Sequence, residues 1–295
     1  MMQNDVHRRT FLGQAFGAAV AGVLPSVGQG APQAGEARGR GSGAGKFDFH
    51  VHLGRDRQEM FAMSGDKVSA AVKYLIAEMD KNNVTKSMIV AVEPVFPTEL
   101  YLDAVKLEPQ RLVAACSMMP RPIDQAINKL KAYHNAGAKA LKLQPMEYDP
   151  HDPAVERLVY EAVKLRMPVL FHHTDLPRTF PGMLSHFAST FTDGNFVVIH
   201  FGGIYGFRDV LPLASLPNVF LETSTAFPRI VNGPSKDDLT FLRQDRLNKL
   251  IFGSEHPLDY DLVTAAIDTL LGEASPEVVA SVYRGNAEKL LGLAS

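Results

Sequence analysis

Eight short runs of apolar, β-favouring residues alternate with longer amphipathic runs along most of the chain. The short runs lack strict alternation of polar and apolar positions, which is typical of strands buried on both faces of a parallel sheet. In chain order they are FDFHVH (47–52), SMIVAVE (87–93), RLVAACSM (111–118), AKALKLQ (138–144), PVLFHH (168–173), FVVIH (196–200), VFLETS (219–224) and LIFGSE (250–255). This alternation predicts an α/β fold with a parallel sheet.

The runs between the predicted strands have the spacing of amphipathic helices, most clearly at 66–82, 123–137 and 154–166. Eight strands, each followed by a helix or loop, predict a distorted (β/α)8 TIM barrel. Two further segments, 261–272 and 276–293, predict extra helices at the C terminus. A doubly wound open sheet is the alternative, but no glycine-rich phosphate-binding turn follows the first strand.

The N-terminal part of the chain differs in composition from the rest. Arg8 and Arg9 precede a short apolar run rich in Gly and Ala, the order of features in an export signal. The paired arginines resemble a twin-arginine signal, which marks proteins exported already folded; a disordered basic tail and an uncleaved anchor are the alternatives. We therefore predict an export signal (1–37), a flexible linker (38–45) and a folded domain (46–295). The export machinery becomes a predicted partner, and the predicted location is periplasmic or otherwise exported.

Composition and charge exclude some classes of function. The 295 residues carry a formal net charge of −2 and 46% hydrophobic residues, and no long basic run is present. Nucleic acid is therefore not expected as a main partner. Cys116 is the only cysteine, so the chain cannot form an internal disulfide, and its apolar surroundings favour an inert core thiol.

Polar residues suited to chemistry lie at the C-terminal ends of the predicted strands. In a barrel these ends meet at one face, where active sites are built. Each residue alone could simply cap a loop or bond to backbone, but imidazoles converging with a carboxylate indicate a metal site. The residues are His52, Glu93, Lys142, Gln144, His172, His173, His200, Glu222, Ser224, Glu255 and His256.

The first predicted strand gives the strongest indication of a metal site. Side chains alternate along a strand, so Asp48, His50 and His52 share one side and one ion could meet both rings. Asp48 could instead hold a neighbouring ring or a lysine. Of the adjacent pair His172 and His173, only one can point inward.

Seven segments together resemble the amidohydrolase-related family of the amidohydrolase superfamily. They cover the chain from about residue 46 to the C terminus, in the family's order: FDFHVHLG, GAKALKLQP, MPVLFHHTD, VVIHFGG, NVFLETS, IFGSEHP and RGNAEKLLGL. This branch includes aminocarboxymuconate semialdehyde decarboxylase-like enzymes and lactone hydrolases. The resemblance implies a TIM barrel with a divalent metal ion and a small-molecule substrate. A homodimer is common among barrels of this branch.

The resemblance also implies roles for individual residues. His50, His52 and His172 are implied metal ligands, with His173 in a supporting position, and His200 is implied to contact the metal or the reacting group. Zn fits these ligands best, and Mn, Fe or Co would also satisfy nitrogen and oxygen donors. In some superfamily members a carbamylated lysine from the fourth strand, the position of Lys142 here, bridges two metals. In this branch it more often supports a single-metal site, and we predict one metal ion.

Glu255 departs from the family pattern, in which the eighth-strand acid is Asp. Glu is one methylene longer, so it could ligate the metal, hold the water without ligating, or mark a site whose chemistry is altered or lost. We predict it as a ligand and as the general base for a metal-activated water. His200 is then the second catalytic residue, which orients the water or stabilises the oxyanion.

Residues after the strand ends suggest the substrate. Arg55, Arg178 and Arg208 could clamp a carboxylate, and Tyr205 could line the mouth of the barrel, although surface charge and loop packing are the alternatives. The leading hypothesis is a metal-dependent hydrolase acting on a small carboxylate-containing cyclic ester, amide or related compound. The alternatives are a cofactor-free, metal-dependent decarboxylase and a non-catalytic, exported metal- or ligand-binding barrel.

Overall fold

The computed structural model describes residues 45–144, 148–149, 151–172, 181–257 and 260–293. The predicted export signal and all of the predicted linker except Gly45 lie outside the described residues, as do His173 and Arg178. Within the described ranges, no helix is long and apolar enough to cross a membrane.

Eight parallel strands form one sheet in which every strand pairs with its neighbours in the sequence. They are β1 (Lys46–Val51), β2 (Val84–Val90), β3 (Leu112–Ser117), β4 (Ala140–Leu143), β5 (Val169–His172), β6 (Phe196–Ile199), β7 (Val219–Glu222) and β8 (Leu250–Ile251). The segment after β8 bonds back to β1, where the Phe49 amide donates to the Phe252 carbonyl (2.9 Å). The sheet is thus a nearly closed barrel, and the predicted TIM-barrel fold is confirmed.

The eighth strand is shorter than the predicted run 250–255. Glu255 has a φ of 57°, in the left-handed region that extended strands do not use. Its amide still donates to the His50 carbonyl (2.7 Å), so the chain stays against β1 beyond the regular strand. The irregular end of β8 therefore places the Glu255 side chain at the rim of the barrel.

Helices follow most of the strands and pack around the barrel. The helix after β4 shows the local causes: the Asp152 side chain accepts the Ala154 amide, Pro153 starts the helix, and Val155 and Leu158 are buried on one side. The helices are α1 (Arg57–Phe61), α2 (Val68–Lys81), α3 (Thr98–Leu107), α4 (Ile123–Asn135), α5 (Pro153–Lys164), α6 (Pro181–Thr190), α7 (Phe207–Val210), α8 (Phe227–Val231), α9 (Thr240–Asp245), α10 (Tyr260–Leu271), α11 (Pro276–Ala280) and α12 (Asn286–Leu290).

The barrel strands share one hydrophobic core cluster. All eight strands contribute to it, and α12 closes it with Ala287 and Leu290. Phe47 and Phe49 of β1 belong to this cluster, whereas the alternate residues of β1 are polar and equally buried. The two sides of β1 thus have different tasks, since one packs the core and the other supplies buried polar groups.

Candidate metal centre

Four buried histidines converge at the C-terminal ends of β1, β5 and β6. The ring centroids of His50 and His52 lie 5.1 Å apart, and those of His50 and His200 also lie 5.1 Å apart. The His172 ring lies 4.7 Å from that of His200. The structure therefore brings together these four predicted site histidines.

A carboxylate completes a group that could hold a metal ion. Ligand atoms of His50, His200 and Glu222 all lie within 4.8 Å of one another, and all three residues are buried. Burial lowers the pKa of both imidazoles well below its ordinary value, so the rings are neutral, as ligation requires. The buried His50 Nε2 has no hydrogen-bond partner within the described part of the chain. The group therefore offers two imidazole nitrogens to a divalent ion, with a buried carboxylate beside them.

Glu222 is held in place by several donors. Its Oε2 accepts the His200 amide (3.0 Å) and the Ser224 hydroxyl (2.8 Å), and its Oε1 accepts the Ser224 amide (2.6 Å). Burial raises the pKa of Glu222, and the donors from His200 and Ser224 oppose that rise. Gly253 leaves the necessary space, because a Cβ there would lie 2.1 Å from Oε1.

The predicted ligand set differs from this group. His50 belongs to both sets, whereas His52 and His172 lie beside it in ring contact. Glu255 lies at the edge, with its Oε2 3.5 Å from His200 Nδ1. Sequence reasoning noted Glu222 and Ser224 at a strand end but gave them no role in the site. Their position at the end of the strand next to β6 was the available signal, and it did not separate them from the other polar residues at strand ends.

Lys142 and Glu255 form a pair of opposite charges inside the site. Burial lowers the pKa of Lys142, and the negative charge of Glu255 opposes this. Burial likewise raises the pKa of Glu255, and the positive charge of Lys142 opposes this. Each charge thus makes the burial of the other less costly.

Asp48 has a structural task at the closure of the barrel. Its Oδ1 accepts the amides of Ser254 (3.0 Å) and His50 (3.2 Å), and its Oδ2 accepts the Ser254 hydroxyl (2.5 Å). These bonds tie β1 to the segment after β8. Asp48 therefore accepts hydrogen bonds from two backbone amides and a hydroxyl at this closure.

Two of the predicted substrate-binding arginines, Arg55 and Arg208, form ion pairs on the surface. Arg55 pairs with Glu59 (2.9 Å) on the surface, and Arg208 pairs with Asp238 (2.7 Å). Tyr205 is 80% exposed after β6. Burial raises the pKa of Glu255, and the positive charges of Lys142 and of Arg57 lower it. Arg57, which the sequence did not point to, thus acts on a residue of the site.

Comparison with solved structures shows the same barrel. The "probable 2-pyrone-4,6-dicarboxylic acid hydrolase" of Acinetobacter baumannii, solved with citric acid bound, is 18% identical (TM-score 0.62, covering 84% of this chain and 99% of that one). The 2,6-dihydroxybenzoate decarboxylase of Rhizobium is 14% identical (TM-score 0.61, 84% and 99%). The 5-carboxyvanillate decarboxylase of Novosphingobium aromaticivorans, solved with manganese, is 12% identical (TM-score 0.60, 85% and 98% for its D314N mutant).

Sequence comparison gives the family. No curated protein sequence matches the chain. The family model described as Amidohydrolase matches residues 47–293, which is the whole barrel. The match and the buried imidazoles at the barrel rim lead to one conclusion: the chain belongs to the amidohydrolase family of enzymes.

Proposed function

We propose that this enzyme is a metal-dependent hydrolase that acts on a small carboxylate-containing cyclic ester, amide or related compound. The observation that carries the proposal is the buried His50 Nε2, which lacks a hydrogen-bond partner among the described residues, on a ring that lies 5.1 Å from the His200 ring and in one group with Glu222. Such an atom would be costly to bury unless a ligand satisfies it. A metal ion is the ligand that the surrounding imidazoles and carboxylate favour.

His50 and His200 would hold the metal ion. Zinc fits their neutral nitrogens, and the manganese in the Novosphingobium decarboxylase supports manganese as the alternative. When bound, such an ion supplies Lewis acidity and lowers the pKa of a water towards about 7.

Protein groups around the two imidazoles would transfer the proton, stabilise the developing charge and exclude bulk water. Glu255 lies at the edge of the group, with its Oε2 3.5 Å from His200 Nδ1, and its carboxylate would take a proton from the attacking water. The buried ammonium of Lys142 would stabilise negative charge that develops on the substrate oxygen. His52 and His172 would wall the site and exclude bulk water.

An anionic substrate suits the charges near the site. Lys142 and Arg57 both lower the pKa of Glu255 against the effect of burial, so two positive charges act on a residue of the candidate site. The Acinetobacter neighbour is described as a dicarboxylic acid hydrolase and was solved with citric acid, which supports a carboxylate-containing substrate.

Decarboxylation is the second candidate function. Two of the structural neighbours are decarboxylases of carboxylated aromatic compounds, on the same barrel. In that reaction the substrate would lose CO2, and Glu255 would return a proton to the ring carbon. The two reactions therefore differ in their product, which an assay can separate.

The N-terminal segment supports a proposal about location. Residues 1–37 would direct the folded, metal-loaded protein through the twin-arginine route, since Arg8 and Arg9 precede an apolar run. Replacing both arginines with lysine would then abolish export. Unchanged export of that variant would contradict the proposal.

A product assay tests the catalytic proposal. Purified protein loaded with zinc or manganese is incubated with dicarboxylated pyrone lactones and with hydroxylated aromatic carboxylates, while ring opening and CO2 release are followed. Lactone hydrolysis that disappears in His50→Ala but persists in His186→Ala, a surface histidine, is the expected result. Release of CO2 alone would establish the decarboxylase. No turnover of either class by metal-loaded protein would contradict both.

A further inference from the structure

We infer that Glu222 is a positioning residue that fixes the proton positions of two imidazoles, His50 directly and His200 through Ser224. The inference rests on the proposed metal site at these two rings. It assigns Glu222 to orienting the ligands instead of serving as a third one. The proton positions follow from which atoms can donate a hydrogen bond and which can only accept one.

The first link joins Glu222 to His50. His50 Nδ1 lies 3.4 Å from Glu222 Oε2, and both side chains are fully buried. An ionised carboxylate only accepts hydrogen bonds, so the proton of the neutral ring lies on Nδ1. The lone pair then lies on His50 Nε2, the buried atom that has no hydrogen-bond partner in the ranges described.

The second link runs through Ser224. Its Oγ lies 2.8 Å from Glu222 Oε2 and 2.8 Å from His200 Nδ1. A hydroxyl has a single hydrogen, and the carboxylate can only accept it. The Ser224 oxygen must therefore accept from His200, which places the proton on Nδ1 and the lone pair on Nε2.

The remaining neighbours of His200 Nδ1 agree with this assignment. Thr225 Oγ1 lies 3.2 Å away and Glu255 Oε2 lies 3.5 Å away, and both oxygens can accept from an N–H. Among the described residues, the contacts of this nitrogen are thus all with oxygen atoms. The opposite tautomer would leave a nitrogen lone pair facing a carboxylate oxygen.

The Glu222 carboxylate therefore fixes the same tautomer on both proposed ligands, His50 and His200. A metal-bound histidine generally donates its other ring N–H to a carboxylate, carbonyl or hydroxyl, which fixes the tautomer and the ring orientation. The oxygens of Glu222 already accept from Ser224, from the His200 amide and from His50. They have little remaining capacity to serve as ligands.

The tautomers are measured first, on metal-free protein labelled with ¹⁵N at histidine. Long-range ¹H–¹⁵N spectra, assigned with His50→Ala and His200→Ala, are expected to show a protonated Nδ1 and an unprotonated Nε2 on both rings. Ser224→Ala is expected to change only the His200 pattern, and Ser224→Thr to restore it. A proton on Nε2 of either ring in the wild type, or an unchanged His200 in Ser224→Ala, would overturn the inference.

Metal affinity provides the second test, by competition with a chromophoric chelator for zinc. Glu222→Gln is expected to bind about 10–100-fold more weakly, the usual effect of losing a group that orients a ligand. Glu273→Gln, on the exposed surface, is the matched control and should bind as the wild type does. Unchanged affinity in Glu222→Gln would contradict the inference, as would X-ray absorption spectra in which the zinc loses an oxygen neighbour in that variant.

The two tests separate this inference from the proposed function. If the wild type binds no metal, the proposed function fails, and the tautomer spectra still decide the role of Glu222. If Glu222→Gln does not fold, Ser224→Ala carries the test, because it removes a single hydroxyl and leaves the carboxylate in place.

Discussion

Substituting Gly253 with alanine would push directly on the carboxylate of Glu222. An added Cβ would lie 2.1 Å from Oε1, 2.7 Å from Cδ and 2.9 Å from Cγ, all closer than non-bonded atoms approach. The carboxylate cannot turn away freely, because Ser224 and the His200 amide hold both of its oxygens. The substitution therefore forces either a backbone shift or the loss of these bonds.

The size of the effect follows from these two costs. Overpacking a filled core costs about 1–3 kcal/mol, and losing one hydrogen bond to a charged group costs about 1.5–3 kcal/mol. We expect Gly253→Ala to lower the free energy of unfolding of the metal-free protein by about 2.5–6 kcal/mol. Zinc affinity should fall as well, because displacing Glu222 releases the ligand rings.

Urea denaturation of the metal-free protein measures this loss. The control is Gly182→Ala in α6, where no atom of the described residues outside the helix's own backbone lies within 4 Å of the added Cβ, and no loss of stability is expected. Adding Glu222→Asp to Gly253→Ala shortens the displaced side chain, and should recover part of the stability in a double-mutant cycle. A Gly253→Ala protein with wild-type stability and wild-type zinc affinity would refute the reasoning.

Three further predictions concern the barrel closure, the substrate and the metal. Asp48→Asn should lower the free energy of unfolding by about 1–3 kcal/mol, because Asn keeps one acceptor oxygen and cannot accept both the amide and the hydroxyl of Ser254 on separate oxygens as Asp48 does; an unchanged urea midpoint would contradict this. Arg57→Ala should raise the KM for an anionic substrate about tenfold or more. Arg208→Ala should leave the KM unchanged, because Asp238 already holds that side chain. Equal effects of the two substitutions would be evidence against a role of Arg57 in substrate binding. Zinc at 100 times its Kd should stabilise the protein by about 2.7 kcal/mol, seen as a raised Tm that a chelator reverses; a Tm that does not respond would count against the metal site.

The barrel could be predicted because its evidence is local. Buried strands are apolar and helices are amphipathic, so each element shows its own period in the sequence. The polar side of β1 was visible for the same reason, since Asp48, His50 and His52 are spaced at the strand period. The convergence of the rings then followed from the geometry of any such barrel.

The role of Glu222 could not be predicted in this way. Many polar residues share its position at a strand end, and the choice among them depends on contacts between distant segments. Glu222 faces the rings because Gly253 of the next segment lacks a side chain and Ser224 supplies donors. The sequence shows that the Glu255 side chain is long, but it does not show the left-handed backbone conformation that sets the direction of this side chain.

The substrate-binding arginines illustrate the same limit. Arg55 pairs with Glu59 four residues later, a helical spacing that the sequence shows. Arg208 pairs with Asp238, thirty residues away, across two segments whose approach depends on the fold. Arg57 acts on Glu255 only because β1 and the end of β8 are neighbours in the closed barrel.

The metal content of the purified protein tests the central claim most directly. Elemental analysis of protein prepared without chelator should find close to one divalent ion per chain, and the double substitution of His50 and His200 by alanine should remove it while the fold is retained. The absence of bound metal in the wild type, even after reconstitution with zinc or manganese, would contradict the account.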